Sequence, residues 1–176
     1  MKRLLLLRHA KAEQAGPDDL KRALTDRGEK DCARMGRFLR EDVYVPDLIL
    51  CSSSVRTRQT LKYLLPELGR QPATQYLSEL YLAEPEIILS LIRRAPEKVG
   101  SLMIVGHNPG LEQCALALAA VPTEKKLRKR YDVMDEKFPT CALAVIDFNV
   151  AVWSDVGPGL GELDAFIRPK DMDAGA

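Results

Sequence analysis

The chain has 176 residues, which is enough for one globular domain with a buried core, or at most for two small ones. Hydrophobic residues make up 46% and charged residues 29%, a balance typical of soluble globular proteins. The formal net charge of +1 excludes a global field that would draw the protein to nucleic acid or to a membrane, so neither is expected as a partner.

Short apolar runs alternate with helical patterns along the chain. Strands are predicted over residues 3–8, 47–51, 74–78, 101–105, 142–148, 151–155 and 162–167. Helices are predicted from Thr25, as N-cap, to about residue 40, over 55–65, from Pro85 to about 95, and over about 110–120. Residues 10–24 are interpreted as a polar loop and residues 122–134 as a basic, mobile connection.

This alternation predicts an α/β fold, a three-layer α/β/α sandwich around a mostly parallel sheet. We expect a single domain over residues 1–170 and a disordered tail over residues 171–176.

Four cysteines are widely spaced and form no C-x-x-C pair: Cys32, Cys51, Cys114 and Cys141. With only two histidines, the chain has no usual zinc ligand set, so no metal site is expected. Buried free thiols are the better interpretation, and they favour a cytoplasmic location. The basic and leucine-rich start imitates a signal peptide, but its apolar run is too short for one.

Polar clusters follow three of the predicted strands. Arg8 and His9 come after the first, Ser52 to Arg56 after the second, and His107 after the fourth. Ligands of such sheets bind beyond the carboxyl ends of the strands. A lone histidine is more often structural than catalytic, but here both histidines of the chain lie at equivalent strand ends beside residues suited to anions. We therefore expect an anion site at this edge.

The residue types in these clusters suit phosphoryl transfer. A transferring phosphoryl group carries negative charge that arginine forks can bind in a bidentate manner. A neutral imidazole can attack phosphorus directly. Arg56 also begins a helix, whose free N–H groups attract an anion, whereas Arg58 is interpreted as a solvated surface charge.

Three motifs resemble those of the histidine phosphatase (phosphoglycerate mutase-like) superfamily: Leu7-Arg8-His9-Ala10, Ser52-Ser53-x-x-Arg56-x-x-Gln59-Thr60 and Val105-Gly106-His107-Asn108-Pro109. The short length and the segment Arg22-Ala23-Leu24-Thr25-x-x-Gly28 look most like SixA-type phosphohistidine phosphatases. The resemblance runs from residue 3 to about residue 120 and implies a phosphoglycerate mutase-like fold.

The resemblance also implies roles for individual residues. His9 would be the nucleophile, and the phosphoryl oxygens would be bound by Arg8, Arg56 and His107. Glu79 would protonate the leaving group and then activate water, although a carboxylate at a helix start is the structural alternative. Substrate binding is assigned to Arg22, Ser52 and Asn108, although a surface arginine is an equal alternative for Arg22. No cofactor and no metal are implied.

The chain departs from the family pattern after the nucleophile, where Ala10 and Lys11 replace the usual Gly-Glu. This departure, and the lack of a long insertion over the site, favour an open pocket and a protein-borne phosphate. Expected substrates are a phosphorylated protein, such as a histidine phosphotransfer domain, or a small phosphoester. Two alternatives stay open, a phosphatase of small phosphoesters and a non-catalytic phosphoprotein-binding module. The basic segment 125–130 could guide an acidic partner or be a solvated helix face.

Overall fold

Strands and helices alternate along the part of the chain that the structure, a computed structural model, describes: residues 1–14 and 16–173. The strands are β1 (Lys2–Arg8), β2 (Leu48–Ser52), β3 (Ala73–Leu77), β4 (Ser101–Gly106), β5 (Leu143–Phe148) and β6 (Gly161–Ile167). The helices are α1 (Asp26–Glu41), α2 (Val55–Leu64), α3 (Pro85–Arg93), α4 (Gly110–Leu118) and α5 (Lys125–Glu136).

All six strands belong to one sheet in the order β3-β2-β4-β1-β5-β6. Parallel pairs join β3 to β2, β2 to β4 and β4 to β1, whereas β5 runs antiparallel to both of its neighbours. The mostly parallel α/β sheet predicted from the sequence is confirmed. Its topology brings the carboxyl ends of β2, β4 and β1 side by side at one edge.

The central strand β1 is an unbroken apolar run because both of its faces are buried. Leu4 and Leu6 pack in a layer with α3, α4 and α5, while Leu5 and Leu7 pack in the opposite layer with α1 and α2. Each fully buried leucine contributes about 1.5–3 kcal/mol of hydrophobic stabilisation. The predicted three-layer arrangement is therefore present.

Helix α1 is held close to the loop that follows β1. The Thr25 side chain accepts a hydrogen bond from Gly28 N, which confirms the predicted N-cap. A Cβ atom on Gly28 would lie 2.2 Å from the Lys11 carbonyl oxygen, so only glycine permits this contact. The chain just beyond His9 is thereby packed against the start of α1.

Two predicted elements are wrong. Residues 151–155 were expected as a strand, but a 3₁₀ turn at Trp153–Asp155 buries Trp153, which donates its indole N–H to Val99 O at 2.8 Å. Residues 122–134 were expected as a mobile connection, but residues 125–134 belong to helix α5. That helix is anchored because Met134 is buried and Arg130 donates to the backbone carbonyls of β6.

The end of the chain also differs from expectation. Residues 169–173 form a 3₁₀ helix, stabilised by paired hydrogen bonds from Arg168 to Asp171 at 2.8 and 2.9 Å. Disorder was therefore wrongly expected at residues 171–173, and residues 174–176 lie outside the described residues. All four cysteines are free and buried, as the sequence predicts. Within the described ranges, no helix is both long and apolar enough to cross a membrane.

Candidate active site

The three predicted clusters meet at the carboxyl edge of the sheet. Arg8 and His9 end β1, Ser52 ends β2, and His107 follows β4, which lies between them. Arg56 reaches the same place from the first turn of α2. The rings of His9 and His107 lie 5.3 Å apart between centroids. The strand-end argument therefore predicted correctly that these residues lie together, and their roles in a site stay a prediction.

His9 is fixed in one orientation. Its Nδ1 lies 2.8 Å from the carbonyl oxygen of Ala10, so we assign the proton to Nδ1 as donor. The backbone of His9 is bonded on both sides, to Gly106 O at 3.1 Å and from Cys141 N at 3.0 Å. Only 7% of the side chain is exposed. This tautomer leaves Nε2 with a free lone pair, the state that a nucleophile requires.

His107 is held differently. Its Nε2 lies 2.7 Å from the Ser52 hydroxyl, and Tyr81 meets its ring edge-on at 5.5 Å. Its Nδ1 is buried and has no hydrogen-bond partner in the described chain. An unpartnered buried polar atom costs free energy unless a ligand completes it. His107 is therefore suited to contact a bound group through Nδ1.

Two arginines flank the histidines. Arg56 is 2% exposed and donates to the carbonyl and carboxylate oxygens of Asp19 at 2.7 and 3.1 Å. Arg8 is half-buried and donates to Phe138 O at 2.9 Å. The Nε atoms of both guanidinium groups are buried without partners among the described residues. An incoming oxyanion could accept from these groups.

Sequence reasoning missed two members of the site, Asp19 and Tyr81. Asp19 belongs to a 3₁₀ turn in the loop after β1, and its carboxylate accepts hydrogen bonds from Tyr81, Arg22 and Arg56. Hydrogen bonds from Tyr81 and then Arg22 hold the pKa of Asp19 well below its usual range. An ionised carboxylate therefore occupies one of the hydrogen-bond donors of Arg56. The sequence signals were weak: an acidic residue three positions before Arg22, and a tyrosine after Glu79.

Three of the remaining predicted residues contact residues of the site. Ser52 contacts His107, and Arg22 contacts Asp19. Asn108 donates to the same carbonyl as Arg8, that of Phe138, at 3.0 Å.

Glu79 is not brought into this group. Its half-exposed carboxylate pairs instead with Arg94 at 3.3 Å. Strand order is not the reason, because Tyr81, two residues later in the chain, lies against His107. The 3₁₀ turn at Ser78–Leu80 instead leaves Glu79 paired with Arg94, the residue that follows α3.

Both histidines are held in the neutral form by their surroundings. Burial, with Arg56 as a further cause, lowers the pKa of His9 to about 4, although its bond to Ala10 acts the other way. Burial, followed by His9 and Arg56, lowers the pKa of His107 to about 3. The ordinary value is about 6.5, so an unprotonated His9 is available throughout the physiological range.

We expect an NMR pH titration to show this directly, because the chain has only two histidines. His9 should titrate near pH 4 and His107 near pH 3. The unfolded chain binds these protons near pH 6.5, so the histidines cost no stability above that pH. Stability should fall as the pH drops from 6.5 towards 3–4. A midpoint between pH 6 and 7 for either ring would contradict this.

The arrangement offers a neutral imidazole nucleophile beside groups that bind an oxyanion. Three arginines (Arg8, Arg22 and Arg56) face two carboxylates, those of Asp19 and Glu112, so positive charge is in excess. No group of three or more potential metal-ligating side chains occurs in the ranges that the structure describes. The chemistry that these residues can perform is attack on a bound phosphoryl group.

Comparison with known proteins agrees with this geometry. Residues 4–84 match the model of the histidine phosphatase superfamily (branch 1). An uncharacterized protein of Mycobacterium tuberculosis (strain H37Rv) is 34% identical over 168 residues, covering 93% of this chain and all of that protein.

Two solved structures are similar over almost the whole chain. The "putative phosphohistidine phosphatase SixA" of Agrobacterium tumefaciens is 32% identical with a TM-score of 0.78, covering 96% of this chain and 98% of that one. The structure of the same description from Nakamurella multipartitia is 27% identical with a TM-score of 0.81, and 96% of each chain is covered.

Proposed function

The chain belongs to the histidine phosphatase superfamily, SixA type, and from this membership we propose that it is a metal-independent phosphatase of phosphohistidine in proteins. The observation that carries the proposal is the free Nε2 of His9 beside two arginines with unpartnered Nε atoms. A bound phosphoryl group would satisfy those donors and lie within reach of the nucleophile.

The reaction has two balanced steps. His9 Nε2 forms a bond to phosphorus while the substrate P–N bond breaks, and the leaving imidazole nitrogen takes a proton from solvent. A water oxygen then attacks phosphorus, the bond to His9 Nε2 breaks, and inorganic phosphate leaves with a proton released. Arg8, Arg56 and His107 stabilise the charge on the phosphoryl oxygens in both steps.

The shortage of a general acid favours a phosphoramidate over an ester. Asp19 is hydrogen-bonded to Arg22 and Arg56, and its lowered pKa keeps it ionised. Glu112 accepts a hydrogen bond from Asn108 at 2.9 Å. Glu79 is engaged by Arg94. An alcohol leaving group needs a proton donor, whereas the imidazole of phosphohistidine takes a proton readily because its own pKa is near 6.5. This site therefore suits a substrate whose leaving group needs little help.

Within this function, the proposed substrate is a phosphorylated protein of a signalling relay in the cytoplasm, such as a histidine phosphotransfer domain. The SixA-named neighbours support a protein-borne phosphohistidine. Four buried free thiols are compatible with a reducing compartment.

Phosphate release by the purified protein tests the proposal. The substrates are a phosphohistidine peptide and a panel of small phosphoesters, with EDTA present throughout. Preferential release from the peptide, undiminished by EDTA, is expected. Preference for an ester would move the function to small-molecule metabolism, loss with EDTA would refute metal independence, and no release from any substrate would favour a non-catalytic binding module.

We expect Asp19→Asn to tighten the binding of inorganic phosphate roughly ten-fold, because the carboxylate that now occupies Arg56 competes with the anion. Calorimetric titration with phosphate measures the change. Asp18→Asn is the matched control, since Asp18 is the adjacent residue and, among the described residues, its carboxylate forms an ion pair with the exposed Lys21 at 3.0 Å and none with an arginine of the site. Equal affinities for the two variants would show that Asp19 does not compete.

A further inference from the structure

A basic pocket lies beside the candidate active site. Its volume is about 470 Å³, and five of its lining residues are cationic: Lys11, Arg27, Lys137, Arg168 and Lys170. Asp31 is the acidic residue among those that line it. None of the five has a role in the chemistry proposed above.

The pocket opens at the same edge of the sheet as His9. Lys11 is two residues beyond His9. Strand β5 is antiparallel to β1, so the segment 137–140 that precedes β5 lies at this edge. Strand β6 runs parallel to β1, so Arg168, which follows β6, lies at the same edge. The backbone joins the two sites directly, because Phe138 O accepts from Arg8 and Cys141 N donates to His9 O. A substrate bound at His9 could therefore extend into the pocket.

Most of the pocket's positive charge is not neutralised. Lys11, Lys137 and Lys170 are exposed, and no described carboxylate lies within 4.0 Å of their ammonium groups. Arg168 pairs with Asp171, and Arg27 is 3.9 Å from Asp31, which is also bonded to Arg34 at 3.0 Å. Three lysines without a described carboxylate at ion-pair distance thus create a local positive field in a chain whose net charge is only +1.

We propose that this pocket binds acidic side chains of the phosphorylated protein, close to its phosphohistidine. The inference rests on the proposed function and names a feature of its substrate. Long, exposed lysines recognise charge rather than a fixed shape, as expected for aspartate and glutamate side chains of a protein segment.

The basic surface also extends further than one small molecule. Arg168 borders a second cavity that Lys126, Lys129 and Arg130 of α5 help to line. The basic segment that the sequence singled out is therefore continuous with the pocket through Arg168. An extended acidic segment could contact both cavities, whereas a compact ligand would fill only one.

The proposal is tested with two phosphohistidine peptides that differ only in their flanks, aspartate and glutamate in one and asparagine and glutamine in the other. The native protein should prefer the acidic peptide in kcat/KM by about ten-fold, mainly through KM, as expected from a few exposed ion pairs. In Lys137→Glu/Lys170→Glu the preference should vanish and turn towards a lysine-flanked peptide. Lys62→Glu/Lys98→Glu, at two exposed lysines outside the pocket, should retain it.

A binding measurement separates this proposal from the phosphatase proposal. Fluorescence anisotropy with an unphosphorylated acidic peptide requires no turnover, and binding should weaken in the Lys137→Glu/Lys170→Glu variant and at high salt. If the peptide binds in this way but no phosphate is released, the phosphatase proposal fails and the pocket stands. Equal binding by the native and variant proteins would overturn the proposal for the pocket. Binding of tripolyphosphate but not of the peptide would overturn it as well.

Discussion

His9→Ala should abolish phosphate release from the phosphohistidine peptide, with a loss of at least about 10⁴-fold in kcat. The alanine removes the Nε2 that forms the covalent bond, and no other nucleophile in the described site has both a free lone pair and a fixed tautomer. Steady-state phosphate release measures the rate, and mass spectrometry of acid-sensitive phosphoenzyme measures the intermediate. We expect labelled His9 in the native protein and no label in the variant.

His107→Ala is the informative comparison, since the two rings lie 5.3 Å apart and both are buried. Losing an oxyanion contact should slow this variant by about 10²–10³-fold, yet phosphate should still be found on His9. Thermal unfolding of both variants at pH 7 checks that the fold is retained. Phosphate on His107 in the His9→Ala protein would contradict the assignment of His9 as the nucleophile and indicate His107 instead.

The sheet, and the meeting of the candidate residues at one edge of it, could be predicted because local patterns determine them. Strand β1 is buried on both faces and therefore appears as an uninterrupted leucine run. In a mostly parallel sheet, the residues that follow such strands must meet at one edge. That geometric rule is sufficient to bring His9, His107 and Arg56 together without knowledge of any tertiary contact.

Other features depend on contacts that no local pattern contains. The bond between Asp19 and Arg56 joins residues 37 positions apart, and that between Asp19 and Tyr81 joins residues 62 apart. Glu79 follows a strand as His9 does, but its carboxylate pairs with Arg94, 15 residues further along the chain, whereas Tyr81, two residues after Glu79, reaches His107. Helix α5 was missed because its many charges obscured the packing of Met134.

Arg56→Ala should lower kcat by about 10²–10³-fold while the protein remains folded. Arg56 is 2% exposed, and its guanidinium group donates through two nitrogens to Asp19, so it is oriented before any substrate arrives. Its Nε has no partner among the described residues. Arg56→Lys should recover only part of the loss, because an ammonium group keeps the charge but not the planar fork. Hydrolysis of the phosphohistidine peptide measures all three proteins.

Arg58→Ala completes the comparison. Arg58 belongs to the same helix, two positions later, but it donates to Ser53 O at 2.9 Å and stacks on Tyr76 at 4.2 Å, away from the histidines. We expect the rate of peptide hydrolysis by Arg58→Ala to stay within about two-fold of the rate of the native protein. The two alanine variants lose the same residue type and the same charge from one helix. A large difference between them can therefore arise only from the position of the guanidinium group, and equal rates would contradict the assignment of Arg56 to the site.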